Sequence, residues 1–435
     1  MPHIILLGTL DTKRTEVLFL YRQLQQNAAR SSTTPLEITL IDCGRQDTTD
    51  EAVTFGHTDL LSKYAASHRP AIQTLSRGQA IELLIDCVSK CVGELLQTRE
   101  IHGIIGAGGS GGTSLISAVM RSATPIGLPK LIVSTVASGD TGPVVGECDI
   151  TLMYSVVDIA GTNRLLREVL GNAAGAIVSM ASSYECRLGE ARSRTSAQAE
   201  ENKIVRVGVT MFGVTTPCVD HVRHHLENNY PVEVYVFHAT GHGGKAMERL
   251  VGEGRLDAIL DITTTEICDL VAGGCMSCDT SRLEATLERG IPNIISIGAT
   301  DTVNFGQMES VPRQYHDRKL HAHNPNVTLM RTSAAECRRV GRFILDKIGR
   351  FAQTPEMVEV WLPRGGTSSI GTAGAVFADA EADAALADTL QSGLESMKVR
   401  VLSDERDLND KGFAIAIADR LMALVAQHSA DIGLR

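Results

Sequence analysis

Apolar residues in this chain follow two alternating patterns. Residues 4–8 form a short apolar run that ends in a turn, and residues 15–26 then place Val17, Leu18, Leu20, Tyr21 and Leu24 at helical spacing. Strand-like runs follow at 36–43, 102–106 and 131–134, and helical patterns at 81–96, 114–120 and 159–181. Strand and helix in alternation predict a parallel sheet covered on both faces. Residues 187–203 break the alternation: they are polar and carry no apolar period. They read as a link between domains.

The pattern then restarts. Strands are expected at 205–210, 232–238, 258–263 and 294–297, and helices at 217–228, 246–252 and 266–271. The tail adds strands at 358–362 and 399–402 and helices at 380–393 and 413–426, which extend the second sheet. The punctuation of the halves matches. Residues 7–12 correspond to 209–215, and residues 129–134 to 292–296. Each of the latter runs precedes a small-residue turn with an aspartate, Asp140 or Asp301. The expected fold is α/β, with two Rossmann-like doubly wound parallel-sheet domains and a cleft between them. The first spans 1–188, a linker covers 189–203, and the second spans 204–435.

Composition narrows the function. The 435 residues fit two or three domains. A net charge of -10 argues against a general nucleic-acid binder, and no basic run marks an anionic membrane surface. No apolar stretch is long enough to cross a bilayer, and the N-terminus lacks a signal-peptide pattern. The ten cysteines are dispersed, as in a reduced cytoplasmic protein. Cys275 and Cys278 form a C-x-x-C without the second pair that a structural zinc needs. A homo-oligomer is expected on general grounds.

The strongest local signal is GAGGSGGTS at 106–114, between a strand and a helix. Gly106, Gly108, Gly109, Gly111 and Gly112 let a ligand approach the backbone, while Ser110 and Thr113 add hydroxyls. The helix start offers unpaired N–H groups to phosphate. Gly106, Gly108 and Gly111 satisfy G-x-G-x-x-G, but the next strand ends in Ser134 and Thr135, with no acid for a ribose. A standard NAD site is therefore not expected, and the string is no P-loop. A bare tight turn is the alternative.

Two further strand-end loops would converge on the same edge. In the first, Thr9, Thr12 and Lys13 can contact phosphate, and Asp11 can hold a magnesium-bound water. The simpler alternative has Asp11 or Thr12 capping the next helix. The second carries Ser134, Ser138, Gly139 and Asp140. Asp158 is an N-cap or a ligand, and Asn163 a polar group in an apolar stretch.

In the second half, His238, His242 and Lys245 surround a glycine turn at 241–245. His238 and Lys245 are the catalytic candidates, against the commoner reading of solvated loop residues. Residues 263–266 (Thr-Thr-Thr-Glu) read as a hydroxyl-rich helix start. His221, His224 and His225 share a helical face but lack a fourth metal ligand. Asn304 and residues 321–325 are polar and loop-like.

The strings GTLDTK (8–13), GAGGSGGTSLI (106–116), STVASGDTGPVVGECDI (134–150), MYSVVDIAGTNR (153–164), GVTMFGVTTPCV (208–219), VFHATGHGG (236–244), DITTTE (261–266) and HNPNVTLMRT (323–332) resemble one uncharacterised protein family. Its members are bacterial and fungal relatives of the N-terminal, ATP-binding part of the tomato mosaic virus resistance protein. The resemblance covers nearly the whole chain. It implies two Rossmann-like subdomains and binding of ATP with magnesium by the loops at 8–13, 106–114 and 134–140. The plant relative also blocks a viral replication protein and carries a further barrel domain, neither of which is carried over.

Three functions are thus open. In the first the chain is an ATP-binding protein, whether or not it goes on to act as an ATP-dependent enzyme on a small acid or sugar. Alternatively it is a non-catalytic, nucleotide-regulated module. In the third reading it is an enzyme on an anionic metabolite that uses no ATP.

Overall fold

The computed structural model describes residues 1–31, 35–65, 72–198 and 204–433. The chain divides into two compact units, at 1–199 and 200–435. In the first, strands β1 (His3–Gly8), β2 (Glu37–Asp42), β3 (Val53–Phe55), β4 (Gly103–Gly108), β5 (Lys130–Ser134) and β6 (Thr151–Tyr154) form one sheet. All pairs are parallel and the order is β3-β2-β1-β4-β5-β6. This is the Rossmann order. Its helices are α1 (Leu10–Ser31), α2 (His57–Tyr64), α3 (Arg77–Thr98), α4 (Ser110–Ala123), α5 (Gly142–Val145) and α6 (Arg164–Gln198).

The uninterrupted apolar run of β1 reflects burial on both faces. Ile5 and Leu7 pack with Leu60 of α2, Leu84 of α3 and Leu115 of α4. Ile4 and Leu6 face the other way, onto Val17 and Leu20 of α1 and Leu170 of α6.

In the second unit, β7 (Val205–Met211), β8 (Val232–His238), β9 (Ala258–Thr263), β10 (Asn293–Gly298), β14 (Val358–Pro363) and β15 (Arg400–Asp404) form a second all-parallel sheet. Between β10 and β14 the chain adds an antiparallel sheet of β11 (Thr302–Phe305), β12 (Leu320–Asn324) and β13 (Val327–Arg331). The helices are α7 (Thr216–Asn229), α8 (Gly243–Gly252), α9 (Thr265–Ala272), α10 (Glu284–Arg289), α11 (Ala334–Phe351), α12 (Ala380–Leu394) and α13 (Lys411–Gly433). One face of the sheet is covered by α7 and α13, the other by α9, α11 and α12.

The order β8-β7-β9-β10-β14-β15 shares a five-strand core with the first unit once β3 and β15 are set aside. In that core β1 corresponds to β7 and β5 to β10, as the matching strings predict. By the same alignment, the counterpart of the glycine-rich string after β4 is the threonine run after β9. The glycine turn at 241–245 follows β8 and corresponds to the loop after β2.

Several helices begin away from their expected starts. The chain is helical from Leu10, where a first turn held by the Thr9 carbonyl kinks at Lys13. Asp11 and Thr12 lie inside that turn and cap nothing. Helix α6 starts at Arg164, capped by Asn163 Oδ1 on the Leu166 N–H at 2.9 Å, so Asp158 is not its cap. The expected linker at 189–203 starts within α6, which is helical through Gln198. Residues 199–203 lie outside the described residues. The arginine, glutamate and alanine of 187–192 are good helix formers without an apolar stripe. Among the described residues no helix is long and apolar enough to cross a membrane.

Candidate functional site

In a doubly wound sheet, neighbouring strands whose chains leave in opposite directions open a crevice beyond their carboxyl ends. In the first unit that point lies between β1 and β4. A cavity of about 580 Å³ occupies it, lined by Thr9, Asp11 and Thr12 after β1 and by Cys43, Gly44, Arg45 and Gln46 after β2. Gly111, Gly112 and Leu115 of α4 complete that rim, with Ile72, Arg77, Ile81 and Leu84 on the remaining side. This volume suits a small-molecule site. The lining is mixed: Ile72, Ile81, Leu84 and Leu115 are apolar, while Thr9, Thr12, Arg45, Arg77 and Asp11 supply hydroxyls, two guanidinium groups and one carboxylate.

The glycine-rich string divides between elements. Gly106 and Gly108 end β4, Gly109 is the N-cap of α4, and Ser110, Gly111 and Gly112 form its first turn. Gly109 has no side chain to satisfy the first N–H groups of the helix. Those groups and the positive end of the helix dipole remain available to an anion. A β-carbon on Gly112 would meet nothing within 4 Å, so this side of the turn opens onto free space.

Two aspartates tie the loops after β1 and β2 together. Asp42 Oδ1 accepts the N–H groups of Leu10 at 3.0 Å and Gly44 at 2.9 Å. Asp11 Oδ2 accepts the Arg45 N–H at 2.8 Å. A β-carbon on Gly44 would lie 2.8 Å from the Asp11 carboxylate, so glycine is needed for this approach. Burial raises the Asp42 pKa, against the two N–H bonds that lower it. A strand beside the cavity therefore does end in an acid, unlike the expectation drawn from the Ser134 strand. That acid is turned toward the main chain.

Thr9, Asp11, Thr12, Gly111 and Gly112 are thus brought to one cavity. Lys13, Gly106, Gly108, Gly109, Ser110, Thr113, Ser134, Ser138, Gly139 and Asp140 do not line it. Thr113 Oγ1 and Ser134 Oγ instead pair at 2.7 Å, fixing α4 to the end of β5. Asp140 accepts the Gly142 N–H at 3.1 Å. The sequence reading missed Cys43, Arg45, Gln46 and Arg77. The signal for the first three was their place at the end of, or just after, the strand at 36–43, which neighbours β1 in a Rossmann order.

The corresponding point of the second unit, between β7 and β9, is filled. Thr215 Oγ1 and Thr263 Oγ1 bond across it at 2.8 Å. Thr264 Oγ1 donates to the Ser296 carbonyl at 3.1 Å, and Thr265 Oγ1 meets Thr302 Oγ1 at 3.1 Å. These hydroxyls cross-link the sheet and do not cap α9. Beside them the buried Arg282 is bidentate to Asp261, at 2.7 Å for each bond, and lies 3.1 Å from both Glu266 and Glu248. Glu266 also accepts the N–H groups of Gly241 at 2.8 Å and Gly244 at 3.3 Å. A carboxylate of the protein thus already occupies the glycine turn at 241–245.

The catalytic candidates have their own partners. The exposed His238 ring stacks on Phe212 with centroids 5.7 Å apart, and Lys245 pairs with Asp279 at 3.0 Å. His225 bonds Asp419 at 2.6 Å and His224 the Asp220 carbonyl at 2.8 Å. Among the described residues no group of three or more metal-type side chains converges. Asn304 is buried and donates to Asp269, and residues 321–324 lie in β12.

Comparisons with known proteins agree with this division. Residues 2–186 match the N-terminal domain, and residues 204–425 the C-terminal domain, of the uncharacterised protein family UPF0261. A UPF0261 protein of Clostridium tetani is 40% identical over 97% of this chain and 98% of its own length. The ToMV resistance protein Tm-1(GCR237) of Solanum lycopersicum is 38% identical over 97% of this chain. The chain spans 56% of that tomato protein. A solved structure of a putative UDP-N-acetylglucosamine 2-epimerase from Listeria monocytogenes is similar at a TM-score of 0.22 and 9% identity, over 67% of this chain and 78% of that one.

Proposed function

The chain belongs to the UPF0261 family, and from that premise and the first unit's geometry we propose that it is an ATP-binding protein. The observation that carries the reading is the convergence, on one cavity at the switch point, of an uncapped helix start, two arginines and apolar side chains. Phosphate groups would lie against the first turn of α4 and the arginines. The base would lie against Ile72, Ile81, Leu84 and Leu115.

Asp11 is the one carboxylate in the lining, and one of its oxygens already holds the Arg45 N–H. It does not form a cation site alone. It fits magnesium that arrives with the nucleotide, held by phosphate oxygens and one carboxylate through water. Thr9 and Thr12, whose hydroxyls lie 3.0 Å apart, stand beside it. The ion would offset phosphate charge next to the carboxylate.

Calorimetric titration with ATP and magnesium, alongside ADP and NAD, tests the reading. Saturable ATP binding with no NAD binding is expected. Absence of nucleotide binding, with binding of a sugar phosphate, would replace it with the anionic-metabolite reading.

A further inference from the structure

Most buried or half-buried arginines here are neutralised. Arg206 pairs with Asp257 at 2.8 Å, Arg318 with Glu336 at 2.8 Å and Arg331 with Asp383 at 2.6 Å. The half-buried Arg45 differs: among the described residues it is in no ion pair, and neither is Arg77, the exposed arginine of the same cavity. Among the described residues the Arg45 guanidinium reaches only the Leu75 carbonyl, at a long 3.3 Å. Arg77 opens α3, and its Nη2 would lie 3.2 Å from a β-carbon on Gly111. Its head therefore rests over the first turn of α4, so a cation faces the positive end of a helix dipole. That juxtaposition is unfavourable until an anion enters between them. The lining holds two guanidinium groups against one carboxylate, within a chain of net charge -10.

The two cations reach the cavity from separate segments, the loop after β2 and the start of α3. Resting on the nucleotide reading above, we infer that Arg45 and Arg77 make the site selective for ligands with a chain of phosphates. Arg77 and the α4 turn take the terminal phosphate, and Arg45 takes an inner one. Affinity therefore rises with phosphate number, and a nucleoside monophosphate leaves one guanidinium unpaired.

Titration of the full chain with ATP, ADP, AMP and inorganic tripolyphosphate tests this, using Arg77→Ala, Arg77→Lys and Arg45→Ala. Because Arg77 is exposed and Arg45 half-exposed, the variants should fold, which their melting temperatures check. The wild type should bind ATP more tightly than ADP, and ADP more tightly than AMP. Arg77→Ala should weaken ATP and tripolyphosphate about tenfold to a hundredfold, the worth of one or two charge-assisted hydrogen bonds. AMP should change by less than about threefold, and Arg77→Lys should recover part of the loss. Equal losses for ATP and AMP, or no loss, would overturn the inference. If tripolyphosphate binds with this arginine dependence while no nucleotide binds, the nucleotide reading fails and the arginine assignment stands. If neither binds, both fail.

Discussion

The Asp42 carboxylate accepts the N–H of Leu10 at 3.0 Å, joining the end of β2 to the start of α1. The same oxygen holds the Gly44 N–H, while Asp42 Oδ2 is buried without a hydrogen-bond partner among the described residues. Asp42→Ala would strand both N–H groups and should cost about 2–4 kcal/mol of stability in the first unit. Asp42→Asn keeps the accepting oxygen and should cost about 1 kcal/mol or less. Denaturant unfolding followed by circular dichroism checks the contrast, and equal costs would show that the two bonds do not matter.

Gly112→Leu should separate folding from binding. The new side chain meets free space at its β-carbon, and replacing a helical glycine favours the helix by roughly 1 kcal/mol. The melting temperature should hold or rise while ligand affinity is lost. Unchanged affinity would remove α4 from the site.

Arg282→Met should be among the most damaging changes in the second unit. It leaves Asp261, Glu266 and Glu248 buried together without their cation. The expected cost is about 3–5 kcal/mol. The chain's single tryptophan, Trp361, lies in β14 of that unit, so its fluorescence reports the transition directly.

Asp269 sets a pH dependence for the same unit. Burial raises its pKa from 3.8 to about 7, against N–H bonds from Asn304 and Met276. The folded chain therefore keeps a proton that the unfolded chain releases in this interval. The stability from this group is full below about pH 4 and is lost as the pH rises through about 7. The stability difference between wild type and Asp269→Asn should shift against the wild type across that window, by up to about 1.4 kcal/mol per pH unit. Trp361 unfolding curves at several pH values check the sign; a constant difference would contradict it.

Strands 232–238 and 258–263 could be read to the residue, because each is bounded by clear turn signals and depends on neighbours in the sheet for its fit. The short β3, Val53–Phe55, and the following α2 could not: two half-buried residues around an exposed one are too short to carry a period. The starts of α1 and α4 were hidden because Asp11, Thr12 and Lys13 in one first turn, and Ser110, Gly111 and Gly112 in the other, leave no apolar repeat to mark a helix. The site was half legible. The residues of 8–13 and 106–114 announce themselves as hydroxyl- and glycine-rich strand ends. Arg45 and Arg77 are single charges in polar stretches, and only the pairing of β2 with β1 and the packing of α3 on α4 bring them to the cavity. The second-unit loops look equally promising in sequence. Their threonines and Glu266 are consumed by bonds within the fold, which spacing alone does not show.

Hydrogen–deuterium exchange of the full chain with and without ATP and magnesium tests the central claim most directly. Slowed exchange at the amides of 10–12, 44–46 and 110–113, with 204–433 unchanged, is the predicted result. Protection confined to 204–433, or protection nowhere, would contradict a nucleotide site at the switch point of the first unit.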